Sequence, residues 1–145
     1  GAPNGGLTPT MIEMLQGYFD SRAVAFDAWL GNLDRNNARN TVLGYAAGQV
    51  PEFMFLDFSR SMSWSSANLG DINQVPMPPI FAQFVDRNMV REGAAAIEQI
   101  PEAVITEIVS GIPDDFIDEQ TRNLLVEGLT GRKRDLLTEL PRWYP

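Results

Sequence analysis

Gly31-Asn32-Leu33-Asp34-Arg35-Asn36-Asn37-Ala38-Arg39-Asn40 and, further along, Phe55-Leu56-Asp57-Phe58-Ser59 decide how this chain is read. The first stretch follows an apolar helical segment that Gly31 stops, and it runs directly into Thr41-Val42-Leu43, a short strand-like run. Glu52-Phe53-Met54-Phe55-Leu56 is a second apolar run, ending at Asp57. Between the two runs, Gly44, Gly48 and Pro51 suit a turn. A two-stranded ribbon is therefore expected, bringing Asn40 and Asp57 to the same end.

These residue types suit one chemistry. A phosphoryl group in transfer spreads negative charge over its oxygens, so a protein that moves it mainly positions the reactants and holds a divalent ion against them. Hard metal prefers hard oxygen, and magnesium keeps water in most of its positions, so one or two protein ligands are enough. Asp34 is a candidate to take a proton from a substrate hydroxyl. Asp57 and Asn40 are candidate ligands for magnesium or manganese, with Asn37 as a substitute for Asn40. Arg35 and Arg39 are candidates to meet phosphate oxygens.

The segment from Phe26 to Arg35, then Asn40, then Leu56-Asp57, resembles the C-terminal lobe of HipA-like and phosphatidylinositol-kinase-like phosphotransferases. The downstream Ile112-Pro113-Asp114-Asp115-Phe116, followed by Arg122 and Arg132, is similar to the same lobe. The resemblance implies a helical kinase C-lobe with a small two-stranded ribbon carrying the catalytic and metal loops. It also implies a catalytic base at Asp34, a principal metal ligand at Asp57 and ATP as the phosphoryl donor.

The chain departs from the protein-kinase pattern in particular places. That pattern sets a His two residues before the catalytic Asp and an Asn five after it. Here Asn32 holds the first position, Arg39 the second, and Asn40 lies one further on. Ser59 stands where the common Asp-Phe-Gly triplet has glycine. There is no glycine-rich phosphate loop between strands, and the single lysine, Lys133, lies far downstream in a helical pattern. Lys133 is expected to solvate a helix face or pair with Glu127.

The chain thus carries the metal and base half of a kinase site without the half that covers the nucleotide. The missing N-lobe is expected in cis or in trans, and the isolated chain is expected to be inactive. The start, Gly1-Ala2-Pro3 without Met, fits a processed or cut chain; residues 1–7 are expected to be a disordered lead-in, and 8–145 a single domain.

Composition bounds the partners. The 145 residues hold 11 Lys and Arg against 19 Asp and Glu, a net charge of −8, which argues against a nucleic-acid partner. No apolar run is long enough to span a bilayer, and no signal-peptide pattern opens the chain. The absence of Cys excludes disulfides and leaves a cytoplasmic address as the default. The expected partners are ATP and a hydroxyl-bearing substrate, with a protein acceptor first. The alternative is a non-catalytic, kinase-derived helical module for protein interaction.

The rest of the chain reads as helix. Thr8-Pro9 opens one, with Met11 and Met14 as core fillers beside Leu15 and Phe19. Ser21 to Leu30 forms a second. Pro79–Val85 and Glu92–Gln99 read as two short helices, interrupted near Asn88 or Gly93. Pro101 to Val109 places Val104, Ile105 and Ile108 on one face, ended by Gly111 and Pro113, with Asp114 and Asp115 as caps. A long helix from Asp118 to Leu140 repeats Leu125, Leu129, Leu136 and Leu140. Trp29, Phe53, Phe55 and Phe58 are expected in the core.

Overall fold

The computed structural model describes residues 8–32, 41–44, 48, 52–55, 61, 62 and 82–143, and these are mainly helical. Helix α1 spans Pro9–Gln16, α2 Arg22–Leu30, α3 Arg87–Glu98, α4 Glu102–Ser110 and α5 Glu119–Trp143. Strand β1, Thr41–Gly44, pairs antiparallel with β2, Glu52–Phe55, in the register Thr41↔Phe55 to Gly44↔Glu52. Among the described residues no helix is long and apolar enough to cross a membrane.

Local chemistry sets the helix starts. Thr8 Oγ1 accepts from the Met11 amide at 3.2 Å, with Pro9 in the first position, where its missing N–H costs nothing. Asp20 takes Arg22 Nε and Nη2, each at 2.8 Å, and those hydrogen bonds hold its carboxyl below the usual range. Asp86 Oδ1 caps α3 by accepting from the amides of Asn88 at 2.8 Å and Met89 at 3.3 Å. The Asp86 amide in turn donates to buried Ser21 Oγ at 2.7 Å, tying the starts of α2 and α3 together.

Four helices share one core. Val24, Ala25, Ala28 and Trp29 of α2 meet Val90, Ala94 and Ile97 of α3, Ile105 and Val109 of α4, and Leu125, Leu129, Leu136 and Leu140 of α5. A smaller aromatic cluster joins Leu15 and Phe19 to Phe53 of β2 and to Phe84, with Phe19 and Phe53 edge-on at 5.1 Å. Val85 packs against both clusters.

Several expectations are corrected. The expected short helix Glu92–Gln99 is instead Arg87–Glu98, continuous through Asn88 and Gly93. Asn88 sits in the capped first turn, and Gly93 is where α3 crosses α2 most closely: a Cβ there would lie 3.0 Å from both Arg22 Cα and Arg22 O. The expected helix Pro79–Val85 lies partly outside the described residues, and Phe84 and Val85 fall in no helix. Met11 and Met14 are exposed, since α1 turns only Leu15 fully inward. On α4 the buried pair is Ile105 and Val109, one helical turn apart, whereas Ile108 is 66% exposed. Asp118, not Asp114 or Asp115, caps α5, accepting from the Thr121 amide at 2.7 Å. The side chains of Phe55 and Phe58 lie outside the described residues.

Helix α5 also closes the ends of α2, α3 and α4. A helix leaves its last carbonyls without partners and carries partial negative charge there. None of α2, α3 and α4 has a basic residue in its own last turn. Arg132 donates through Nε to Trp29 O at 2.8 Å and through Nη2 to Ala28 O at 2.6 Å, at the end of α2. Lys133 Nζ donates to Glu98 O at 3.3 Å and Ile100 O at 2.6 Å, at the end of α3. Arg122 Nη1 donates to Val109 O at 2.8 Å, at the end of α4, while its Nη2 meets Asp114 at 2.6 Å. All three cations are buried. Lys133 therefore does not solvate a helix face or reach for Glu127; its ammonium closes α3.

Candidate functional site

Asp34, Arg35, Asn37, Arg39 and Asn40, and likewise Asp57, lie outside the described residues. What the structure describes is the frame from which both motifs spring. That frame is the C-terminal end of α2, one pair of strand residues and the returning chain at Ser61 and Met62.

The end of α2 is fully satisfied. Gly31 adopts the left-handed conformation, φ 62° and ψ 45°, which glycine reaches without a Cβ penalty. Its amide donates to Ala28 O at 3.2 Å, and the Asn32 amide donates to Asp27 O at 2.9 Å. Arg132 takes Ala28 O and Trp29 O. The Met62 amide donates to Leu30 O at 2.7 Å. Each of the four terminal carbonyls, from Asp27 to Leu30, thus has a donor. The Met62 bond returns the chain, after the second motif, to the helix that launches the first.

Two side chains reinforce this end. Asp27 is 1% exposed and Asn32 0%, and Asn32 Nδ2 donates to Asp27 Oδ1 at 3.1 Å. On the far side of both motifs, Thr41 begins β1 and pairs with Phe55, the last residue of β2. The chain thus enters β1 and leaves β2 at one end of the pair. Segment 33–40 is bounded by the end of α2 and by Thr41, and segment 56–60 by Phe55 and Ser61.

Two hydroxyls at these boundaries stand out. Thr41 Oγ1 and Ser61 Oγ are buried with no hydrogen-bond partner among the described residues, whereas most buried polar atoms in folded proteins have one. Among the described residues no group of three or more His, Cys, Asp or Glu is arranged to hold a metal ion. A groove of about 550 Å³ between α4 and α5 is lined by residues including Glu102, Asn123, Glu127 and Arg134, none of which borders either motif.

The sequence reading did not assign Met62, Asp27 or Ser61 to this frame. Met62 carries a signal only in three dimensions: its positive φ of 60°, unusual for a residue with a side chain. Asp27 stands out in sequence as a carboxylate at a core-facing helix position. No family model, curated protein or solved structure matches this chain.

Proposed function

We propose that this chain is the C-lobe of a metal-dependent, kinase-like phosphotransferase that moves a phosphoryl group from ATP to a hydroxyl. The reading is supported by one observation above the rest. The flanks of the two acidic motifs meet twice, through the Met62 amide on Leu30 O at 2.7 Å and through the pairing of Thr41 with Phe55. Flanks that meet in this way are compatible with two motifs that share a metal.

In this reading Asp57 and Asn40 hold magnesium or manganese, with Asn37 as substitute for Asn40. Their side-chain oxygens suit a hard divalent ion, and Thr41 Oγ1, unpartnered among the described residues, belongs to the residue after Asn40. When bound, the ion would neutralise charge on the phosphoryl oxygens. Asp34 accepts the proton of the attacking hydroxyl and orients it. Arg35 and Arg39 pair with phosphate oxygens. The glycine-rich cover and its lysine come from an N-lobe in cis or in trans.

A second reading, a helical interaction module without turnover, is favoured by the exposure of Ile108 at 66% and Phe116 at 77%. The two readings separate on metal. Titration of the chain with Mn²⁺, followed by water-proton relaxation, should show binding that Asp57→Ala removes. Equal binding by parent and variant excludes Asp57 from the site.

A further inference from the structure

We propose that α4 and the turn after it form a docking face for a basic amphipathic helix of another protein; the inference deepens the second reading above, the interaction module, and rests on it. Of the large apolar side chains among the described residues, Phe116 and Ile108 are the two most exposed. Ile108 continues a stripe with Val104, one turn before it and also exposed, while Ile105 and Val109 occupy the core side of the same helix. Phe116 lies in the connection to α5, where its amide donates to Pro113 O at 3.0 Å. Arg122, early in α5, reaches back to Val109 O and to Asp114, so the end of α4, the connection and the start of α5 are tied together.

Apolar exposure marks a surface without naming its partner. The charge around it does that. From Glu102 to Glu119 the chain holds six acidic residues and no Lys or Arg. Two cations reach this stretch from α5. Arg134 Nη2 pairs with Glu102 at 2.7 Å, and Arg122 Nη2 pairs with Asp114 at 2.6 Å, its Nε lying 3.9 Å from Glu119. Glu107 and Asp115 form no ion pair among the described residues, and both are exposed. Glu107 adjoins Ile108 in the chain and Asp115 adjoins Phe116, so each of the two most exposed apolar side chains has an unneutralised carboxylate beside it.

That arrangement selects among occupants. A second copy of the chain would set these carboxylates against their own kind, and an anionic bilayer or a nucleic acid is repelled in the same way. A helix with an apolar stripe flanked by Lys or Arg satisfies both halves of the face. Its apolar side chains cover Val104, Ile108 and Phe116, and its cations meet Glu107 and Asp115. The apolar contact supplies most of the affinity, because exposed ion pairs contribute little, while the charges exclude acidic partners.

The test uses two fluorescent peptides of about 18 residues, roughly five helical turns. One carries leucine along one face and lysine on the other, and its counterpart has glutamate in place of lysine. Fluorescence anisotropy should show the chain binding the lysine peptide, more weakly as salt is raised, and not the glutamate peptide. Ile108→Ser/Phe116→Ser keeps the charge and should weaken binding at least about tenfold. Glu107→Gln/Asp115→Asn keeps the apolar side chains and should weaken it about threefold or more. Both variants change exposed positions and should melt as the parent does. Lysine-peptide binding unchanged in Ile108→Ser/Phe116→Ser is charge attraction alone and overturns the docking face. Equal binding of the glutamate peptide, lost in that variant, overturns the basic partner and leaves the interaction reading standing. A parent dimer in sedimentation that the same variant dissolves gives the face to a second copy and likewise overturns the basic partner. A parent that binds neither peptide and stays monomeric overturns the docking face and the interaction reading together.

Discussion

Trp29 and Arg132 tie α2 and α5 together in both directions. Arg132 Nε donates to Trp29 O at 2.8 Å, and Trp29 Nε1 donates to Leu129 O at 2.9 Å, three residues before Arg132. Each residue hydrogen-bonds the other's helix, and both are buried. The pairing fixes the angle at which α2 ends, and so the point from which the first acidic motif leaves.

Arg132→Met should therefore be severe. It keeps much of the apolar stem but leaves Ala28 O and Trp29 O without the guanidinium. Ala28 O keeps the Gly31 amide, so Trp29 O is the carbonyl left unpaired, and the loss is about 1–3 kcal/mol. Arg132→Lys should recover only part of it, because an ammonium cannot reproduce the fork. Urea unfolding of the three proteins measures this, and a loss under about 1 kcal/mol for Arg132→Met would contradict the capping role.

Gly93→Ala sets two effects against each other. Helix propensity favours alanine by about 1 kcal/mol. The new methyl, however, meets Arg22 Cα and O at 3.0 Å, and those are backbone atoms that cannot rotate away. Overpacking costs about 1–3 kcal/mol, so net destabilisation is expected. A raised melting temperature would show that α2 and α3 can separate freely.

On α4, the two sides should respond differently. Ile105→Ala opens a cavity in the core and should cost about 2–5 kcal/mol. Ile108→Glu, at a position 66% exposed, should stay within about 0.5 kcal/mol of the parent. A large loss from Ile108→Glu would mean that this face is covered by another part of the molecule.

Asp118 should give the acid limb of stability a recognisable component. The Thr121 side chain, and after it the Thr121 backbone, hydrogen-bond the Asp118 carboxylate and lower its pKa in the folded state. A depressed folded pKa means stability fully present above the ordinary carboxylate value and lost as pH falls through the folded one. That window lies below about 3.9. Asp118→Asn keeps a capping side chain without the titration. Unfolding measured from pH 6 downward should therefore be flatter for the variant, and parallel curves would contradict the assignment.

Asp34→Asn addresses the chemistry directly. On the phosphotransfer proposal, in a form of the chain joined to a nucleotide-covering lobe, ATP affinity should hold while turnover falls by roughly 10²- to 10⁴-fold, the usual loss for an acid–base group. Kinetics equal to the parent would remove Asp34 from the reaction.

The helices were legible because capping and periodicity are local. Thr8-Pro9 marks a start, Gly31 marks a stop, and leucines along residues 125–140 mark a buried stripe. Illegible were contacts that depend on how helices meet. Gly93 reads as a break in sequence and is a crossing point in space. Lys133 reads as a surface charge because its partners, the Glu98 and Ile100 carbonyls, belong to the backbone and leave no side-chain signature. Ile108 and Val109 are neighbours in sequence, so periodicity alone left the inward direction of α4 ambiguous by one position. For the candidate site, residue types suggested only a class of chemistry, while the Leu30–Met62 bond joins positions whose pairing no spacing rule predicts.

Synthesis runs from N- to C-terminus, and the cations that close α4, α2 and α3 come after the helices they close, at residues 122, 132 and 133. On a ribosome the Ala28 and Trp29 carbonyls wait through about a hundred further residues before Arg132 exists to bind them. Until then the exit from α2 has only its local glycine turn, and water serves the remaining carbonyls. The launching point of the first motif therefore reaches its final form only after Arg132 has emerged, so a nascent chain that stops short of that residue carries both acidic motifs while the end of α2 lacks its guanidinium.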